Sequence, residues 1–82
     1  MRYEIEFLPI ALHQLRALPK DARRLIGGKI ELLQNDLTGD VKKLQGFKHK
    51  YRLRAGKYRV LFELDSNCVV IYDVGDRKNI YE

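Results

Sequence analysis

The sequence lacks several features that would assign it to a well-marked class of protein. It has one cysteine, Cys68, in 82 residues, so an internal disulfide cannot form and a disulfide-stapled secreted mini-protein is excluded. No apolar run approaches the roughly 18 residues of a transmembrane helix, and the first residues do not resemble a signal peptide. We therefore expect a cytoplasmic protein with no membrane partner.

The residue sets of common catalytic chemistry are also missing. His13 and His49 stand alone, and two isolated histidines make neither a metal site nor a histidine dyad. There is no phosphate-binding loop, dinucleotide-binding glycine motif or Ser-His-Asp pattern. Cys68 opens an apolar stretch, which favours a core residue over a nucleophile. We expect no metal and no cofactor, so any catalysis has to come from cations and a phenol.

Length and composition indicate one small basic domain that spans residues 1–82. Hydrophobic residues make up 45% and charged residues 33% of the chain, which are globular values that exclude a disordered tail. A chain of this size buries only about 60–65% of its unfolded surface, so its core is thin. The 16 Lys and Arg outnumber the 11 Asp and Glu, which leaves a net charge of +5.

The cations are concentrated in one part of the chain. Residues 41–62 contain no acid, yet they hold eight of the 16 cations: Lys42, Lys43, Lys48, Lys50, Arg52, Arg54, Lys57 and Arg59. A solvated face is the ordinary interpretation of such a charge run, and a site for a polyanion is the alternative.

Hydrophobic periodicity predicts an α+β fold. Residues 2–8 alternate as a half-buried strand, and Pro9 starts a helix that ends at Pro19. Asp21 is the predicted N-cap of a second helix that ends near residues 35–36. Gly27 and Gly28 inside it would permit either a close approach to a neighbouring element or a local break. Residues 50–54, 57–64 and 68–74 predict a three-stranded antiparallel meander, with the last strand covered on both faces. We expect the two-helix hairpin to pack on one face of this sheet.

The predicted first hairpin bears on the cation cluster. With a two-residue loop at residues 55–56, Arg54 would lie opposite Lys57 and Arg52 opposite Arg59, with Lys50 on the same face. Like charges in direct opposition destabilise a sheet by a few tenths to about 1 kcal/mol. The predicted second hairpin, with a loop at residues 65–67, would place Asp73 opposite Arg59, and this carboxylate could offset one cation. The geometry thus favours a phosphate site over a solvated face.

Three segments in order carry a family resemblance. They are KLQG at residues 43–46, YRLRAGKYRV at residues 51–60 and VGDRKNIY at residues 74–81. Together they resemble the RelE/ParE superfamily of toxins from bacterial and archaeal type II toxin–antitoxin pairs, and the likeness extends over nearly the whole chain. The resemblance implies a ribosome-dependent mRNA interferase of the RelE type that is neutralised by a cognate antitoxin.

The resemblance also implies a reaction and a set of residues. Such toxins enter the ribosomal A site, where a ribose 2′-hydroxyl of the mRNA attacks the adjacent phosphate and leaves a cyclic phosphate and a free 5′-hydroxyl. By position, Arg59 would stabilise the transition state, Arg77 would protonate or stabilise the leaving oxygen, and Tyr81 would be the general base. The residues expected to bind the RNA phosphates are Lys50, Arg52, Arg54 and Lys57. The implied partners are the antitoxin, the ribosome and mRNA.

Several alternatives remain open at the level of sequence. A ParE-like toxin that poisons DNA gyrase and a non-catalytic basic RNA-binding module both fit the strand pattern and the charge. Arg77 could pair with Asp76 or Asp73, and Tyr81 could pack against the sheet edge. Two departures from the family pattern also bear on activity. Asp76 stands where many relatives carry histidine, and the sequence stops one residue after Tyr81, without the C-terminal helix of longer members.

Overall fold

The protein folds as two helices packed on a five-stranded mixed sheet. The computed structural model describes residues 1–76, so the predicted roles of Arg77 and Tyr81 lie outside the described residues. The elements are β1 (Glu4–Phe7), α1 (Pro9–Arg16), α2 (Lys20–Leu32), β2 (Val41–Lys43), β3 (Lys50–Ala55), β4 (Tyr58–Asp65) and β5 (Cys68–Asp76). The α+β class is confirmed.

The predicted three-stranded meander after the helices is only part of the sheet. The strand order is β1-β5-β4-β3-β2, with β1 parallel to β5 and the other neighbours antiparallel. Strand β1 pairs with the edge of β5 that faces away from β4, and Ile5 lies opposite Val69 in this pair. A parallel pair needs a long connection, which here consists of both helices and strands β2, β3 and β4. The short edge strand β2 escaped prediction because two of its three residues are lysines.

The helix boundaries differ from the prediction at α2. Pro9 is the first residue of α1, as predicted, because its missing N–H is not needed there. Helix α2 begins at Lys20 and its N-cap position is Pro19, so Asp21 is not the N-cap. The Asp21 carboxylate lies instead in the first turn, where the helix dipole favours negative charge.

Both helices cover the same face of the sheet, as predicted. The helices contribute Ala11, Ile26 and Ile30 to the core, and Leu33 follows the end of α2. The apolar residues of β3, β4 and β5 complete the core, and the largest fully buried side chains among them are Phe62, Leu53, Ile71, Val60 and Val69. Because strand residues alternate between faces, the side chains between these core positions lie on the opposite face.

The loop of the β3–β4 hairpin lies one residue later in the sequence than predicted, so each residue of β3 pairs with a residue two positions further along β4. Ala55 pairs with Tyr58, so the loop is Gly56-Lys57, and Gly56 has a φ of +60°. A positive φ at the first loop position is typical of a type II′ turn, which matches the twist of the strands. Arg54 therefore lies opposite Arg59, and the predicted Arg52–Arg59 and Arg54–Lys57 oppositions are wrong. A shift of two residues keeps the paired residues of β3 and β4 on their predicted faces, whereas Lys57 lies in the loop and not in the ladder.

The β4–β5 hairpin also differs in register. Asp65 pairs with Cys68 across a two-residue loop, and a bulge interrupts the ladder between Leu61 and Phe62. Asp73 consequently lies opposite Leu61, so the prediction that it lies opposite Arg59 is wrong. The residue opposite Arg59 is Gly75. Strand β5 is central, between β1 and β4, but its second face is only half covered because Val70 and Tyr72 remain partly exposed.

Two further sequence expectations concern α2 and the membrane. A Cβ added at Gly27 or Gly28 would meet nothing within 4 Å, so these glycines do not serve a close approach of α2 to its neighbours.

Within residues 1–76, neither helix has the length and apolarity needed to span a bilayer.

We predict opposite effects for two Gly→Ala substitutions. Gly56→Ala places a Cβ at positive φ, 3.1 Å from Leu25 Cδ2, and should lower the free energy of unfolding by about 1–2 kcal/mol. Gly28→Ala, in open space on α2, should raise it by up to about 1 kcal/mol because alanine is the better helix former. Urea unfolding followed by circular dichroism measures both. Equal shifts of the same sign would contradict the turn geometry.

Candidate nucleic-acid interface

Four cations of β3 and β4 lie on the sheet face that the helices leave uncovered. This basic face is formed by Lys50, Arg52, Arg54 and Arg59. The alternation of β3 and β4 produces it: Leu53, Ala55 and Val60 point into the core, so the intervening residues point away from it. Lys57, the other predicted phosphate ligand, is exposed in the hairpin loop, with its Nζ 5.5 Å from the centroid of the Tyr58 ring.

Asp40, in the loop before β2, contacts two arginines of this face. Arg52 Nη1 lies 3.3 Å from Asp40 Oδ1, and Arg54 Nε lies 3.9 Å from Asp40 Oδ2. The Asp40 carbonyl accepts a 3.0 Å hydrogen bond from the Arg54 backbone N–H and lies 3.4 Å from Arg52 Nη1. Sequence reasoning missed this counterion and chose Asp73 instead. The signal was present, because Asp40 directly precedes the acid-free run of residues 41–62.

The four cations differ in their access to solvent. The Arg52 side chain is only 6% exposed, whereas the Arg54 side chain is 37% exposed. Arg59 and Lys50 are of intermediate exposure. A ligand in solution can thus contact Arg54, Arg59 and Lys50 directly. Arg52 is buried, so it contributes its positive charge and its ion pair with Asp40.

Aromatic and aliphatic side chains border the basic face. Leu44 and Leu61 form a small second cluster on this side of the sheet, with Tyr72 packed against it. Lys50 Nζ lies 4.7 Å from the centroid of the Phe47 ring and 5.4 Å from that of Tyr72. Burial, and then the charges of Glu63 and Asp73, raise the pKa of the Tyr72 phenol above its usual value. Tyr72 is therefore a neutral phenol at physiological pH.

The remaining titratable candidates do not form a second site. Cys68 Sγ lies 3.7 Å from Glu6 Oε2, and desolvation followed by this contact raises the pKa of the thiol. A raised pKa disfavours the thiolate, so Cys68 is not an activated nucleophile. Over residues 1–76 there is no group of three or more His, Cys, Asp or Glu side chains able to hold a metal ion.

The concave surfaces lie beside the arginines and not over them. A cavity of about 200 Å³ is lined by Lys42, Lys43, Leu44 and Gln45 on the edge of the sheet. A second, of about 320 Å³, is lined by His49, Glu63, Leu64, Asp65 and Val70. Neither cavity is lined by Arg52, Arg54 or Arg59, and the partly exposed Arg54 and Arg59 lie on the sheet face away from the helices. This placement suits an extended polyanion better than a small molecule enclosed in a pocket.

Comparison with known proteins identifies relatives over almost the full chain. No family model matches the sequence. Toxin RelE3 from Methanocaldococcus jannaschii is 32% identical over 84 residues, which cover 96% of each chain.

Solved structures of toxin–antitoxin complexes share the fold. A chain of the RelB–RelE antitoxin–toxin complex from Methanococcus jannaschii superposes with a TM-score of 0.78 at 31% identity, covering 93% of this chain and 94% of that one. A chain of the RelE–RelB complex from Pyrococcus horikoshii OT3 gives a TM-score of 0.79 at 25% identity, covering 98% and 100%.

We predict that Asp40→Asn destabilises the fold. The substitution removes the carboxylate that bridges two guanidinium groups, one of them buried, so the free energy of unfolding should fall by about 1–2 kcal/mol. The effect stays below that of a fully buried ion pair because Asp40 itself is 59% exposed. Asp65→Asn, which alters an exposed acid at the end of β4, is the matched control and should change stability by less than about 0.5 kcal/mol. Equal urea midpoints for the two variants would show that Asp40 is not a stabilising counterion.

Proposed function

Because this chain belongs to the RelE family of toxins, we propose that it is an endoribonuclease that cleaves mRNA in the ribosomal A site. In the reaction that the resemblance implies, the ribose 2′-hydroxyl attacks the adjacent phosphorus and loses its proton. The bond to the 5′-oxygen of the next nucleotide breaks, and that oxygen takes up a proton. The products are a 2′,3′-cyclic phosphate and a free 5′-hydroxyl.

The observation that best supports this function is the opposition of Arg54 and Arg59 on the uncovered sheet face. Arginines paired in adjacent strands place two guanidinium groups on one face, and the Asp40 carboxylate contacts Arg52 and Arg54 there. A phosphate bound between Arg54 and Arg59 would interact favourably with both guanidinium groups. Arginine suits the role because its planar fork can donate two hydrogen bonds to phosphate oxygens.

Each predicted site residue has a proposed role. Arg59 stabilises the negative charge that the oxygens around the pentacoordinate phosphorus carry in the transition state. Lys50, Arg54 and Lys57 hold the phosphates of the substrate strand, and the buried Arg52 adds positive potential beneath them.

The remaining two roles belong to residues at the end of the chain. Tyr81 is the proposed general base for the 2′-hydroxyl, and Arg77 is proposed to protonate or stabilise the leaving 5′-oxygen. The register supports the role proposed for Arg77: Gly75 of β5 pairs with Arg59, and Arg77 follows Gly75 by two residues in the sequence.

We further propose a cognate antitoxin as the partner that neutralises this activity in the cytoplasm. The two structural relatives described above come from toxin–antitoxin complexes. Apolar side chains remain exposed on or beside both helices and could be covered by such a partner: Leu8, Ile10, Leu25 and Leu32. An acidic or amphipathic segment would also complement the +5 charge.

The proposal predicts a specific loss of cleavage. Replacing Arg59 and Tyr81 together with alanine should reduce mRNA cleavage on programmed ribosomes by at least about 10²-fold, since a transition-state cation and the base are both lost. Primer extension on the mRNA maps the cut, and naked RNA should be cleaved poorly because the ribosome orients the substrate. Arg23→Ala, which removes an exposed cation of α2, is the control with a matched change in charge and should cleave normally.

Two outcomes would overturn the proposal. Cleavage that survives in the double variant would contradict the assigned mechanism. Double-strand breaks stabilised in a supercoiling assay with purified gyrase, without cleavage on ribosomes, would instead indicate a ParE-like toxin.

A further inference from the structure

The ammonium group of Lys50 has an unexpected neighbourhood. Lys50 begins β3 directly opposite Glu63 of β4, an arrangement that favours a cross-strand ion pair. Among the ion pairs within residues 1–76, none joins these two side chains. Lys50 Nζ lies over two aromatic rings, 4.7 Å from the centroid of Phe47 and 5.4 Å from that of Tyr72. Both distances are within the roughly 6 Å range of a cation–π contact.

The two rings are held in different ways. Tyr72 is partly buried and packs against Leu44 and Leu61, so one ring is anchored to the sheet. Phe47 lies in the segment that connects β2 with β3, directly after Gly46, and is 48% exposed. Exposure of a large aromatic ring to water is unfavourable, and the contact with Lys50 places the Phe47 ring at the border of the basic face.

We propose that Phe47 and Tyr72 are positioning residues that hold the Lys50 ammonium ready for an RNA phosphate. This inference rests on the proposed function, in which Lys50 binds the substrate strand. A free lysine side chain loses much rotamer freedom when it binds, and a clamp of two rings removes part of that loss beforehand. The rings attract the ammonium without neutralising it, whereas a pair with Glu63 would cancel its charge towards phosphate.

Affinity for a non-cleavable RNA tests the clamp. The probe is a fluorescein-labelled 2′-O-methyl RNA of about eight nucleotides, bound to the full chain at low salt and followed by anisotropy. Phe47→Leu keeps an apolar side chain but removes the π face, so its dissociation constant should rise about two- to fivefold. Phe47→Tyr and Tyr72→Phe keep the rings and should bind as the unaltered chain does. Thermal unfolding of each variant checks that the fold is intact, and the exposed position of Phe47 makes Phe47→Leu the decisive variant.

A double-mutant cycle with Lys50 separates positioning from direct contact. In a Lys50→Met background, Phe47→Leu should have no further effect on affinity, because the group that the ring positions is gone. An undiminished two- to fivefold effect in that background would mean that Phe47 touches the RNA itself, and the proposal would be wrong. Undetectable binding by the unaltered chain, or full affinity of Phe47→Leu, would also overturn it.

This test is independent of the proposed nuclease activity. Binding to 2′-O-methyl RNA requires neither a ribosome nor a free 2′-hydroxyl. Coupling between Phe47 and Lys50 in a chain that fails to cleave mRNA would preserve the clamp and refute the nuclease. Cleavage on ribosomes without such coupling would preserve the nuclease and refute the clamp.

Discussion

The burial of one face of the β3–β4 hairpin is the constraint on which the rest of the structure depends. Leu53, Val60 and Phe62 are fully buried beneath the helices, and in a thin core of this size each contributes a large part of the stability. Because strand side chains alternate, this burial fixes the orientation of the arginines between them. The basic face is therefore a direct consequence of the hydrophobic core.

Charge concentrated in this way needs a local counterion, and Asp40 provides it. Its carboxylate contacts Arg52 and Arg54, and its carbonyl accepts a hydrogen bond from the Arg54 backbone. The loop before β2 is thereby attached to the hairpin at the site of the repulsion. Asp40 offsets part of the positive charge of this face, and Glu63 lies opposite Lys50 on it. A sheet face that carries four cations attracts a phosphate chain.

The two faces of the sheet thus differ in composition. The helix side holds the apolar core, while the uncovered side combines cations with a border of Leu44, Leu61, Tyr72 and Phe47. Single-stranded nucleic acids present both phosphates and flat bases, so a basic sheet face with aromatic neighbours is suited to them. The likeness to RelE structures and the chemistry of this face lead to the same proposed function.

The sequence by itself determined which residues share a face, because alternation is a local property of each strand. For that reason Lys50, Arg52, Arg54 and Arg59 share a face as predicted, even though the predicted pairing was shifted by two residues. Lys57, which was predicted on the same face, lies in the hairpin loop instead. The three segments with a family resemblance likewise sufficed to predict the RelE family. Helix α1 was predictable from Pro9 and the leucine spacing, which are also local signals.

Tertiary structure alone decided which groups meet across the sheet. The parallel pairing of β1 with β5, the bulge at Leu61 and the register of Asp73 depend on long-range packing that no local pattern encodes. Asp40 becomes the counterion only because β2 brings its loop alongside β3, and Lys50 meets Tyr72 only because β5 lies beside β4. Periodicity orients a side chain, but its partner is selected by strand order and register, which the whole core sets.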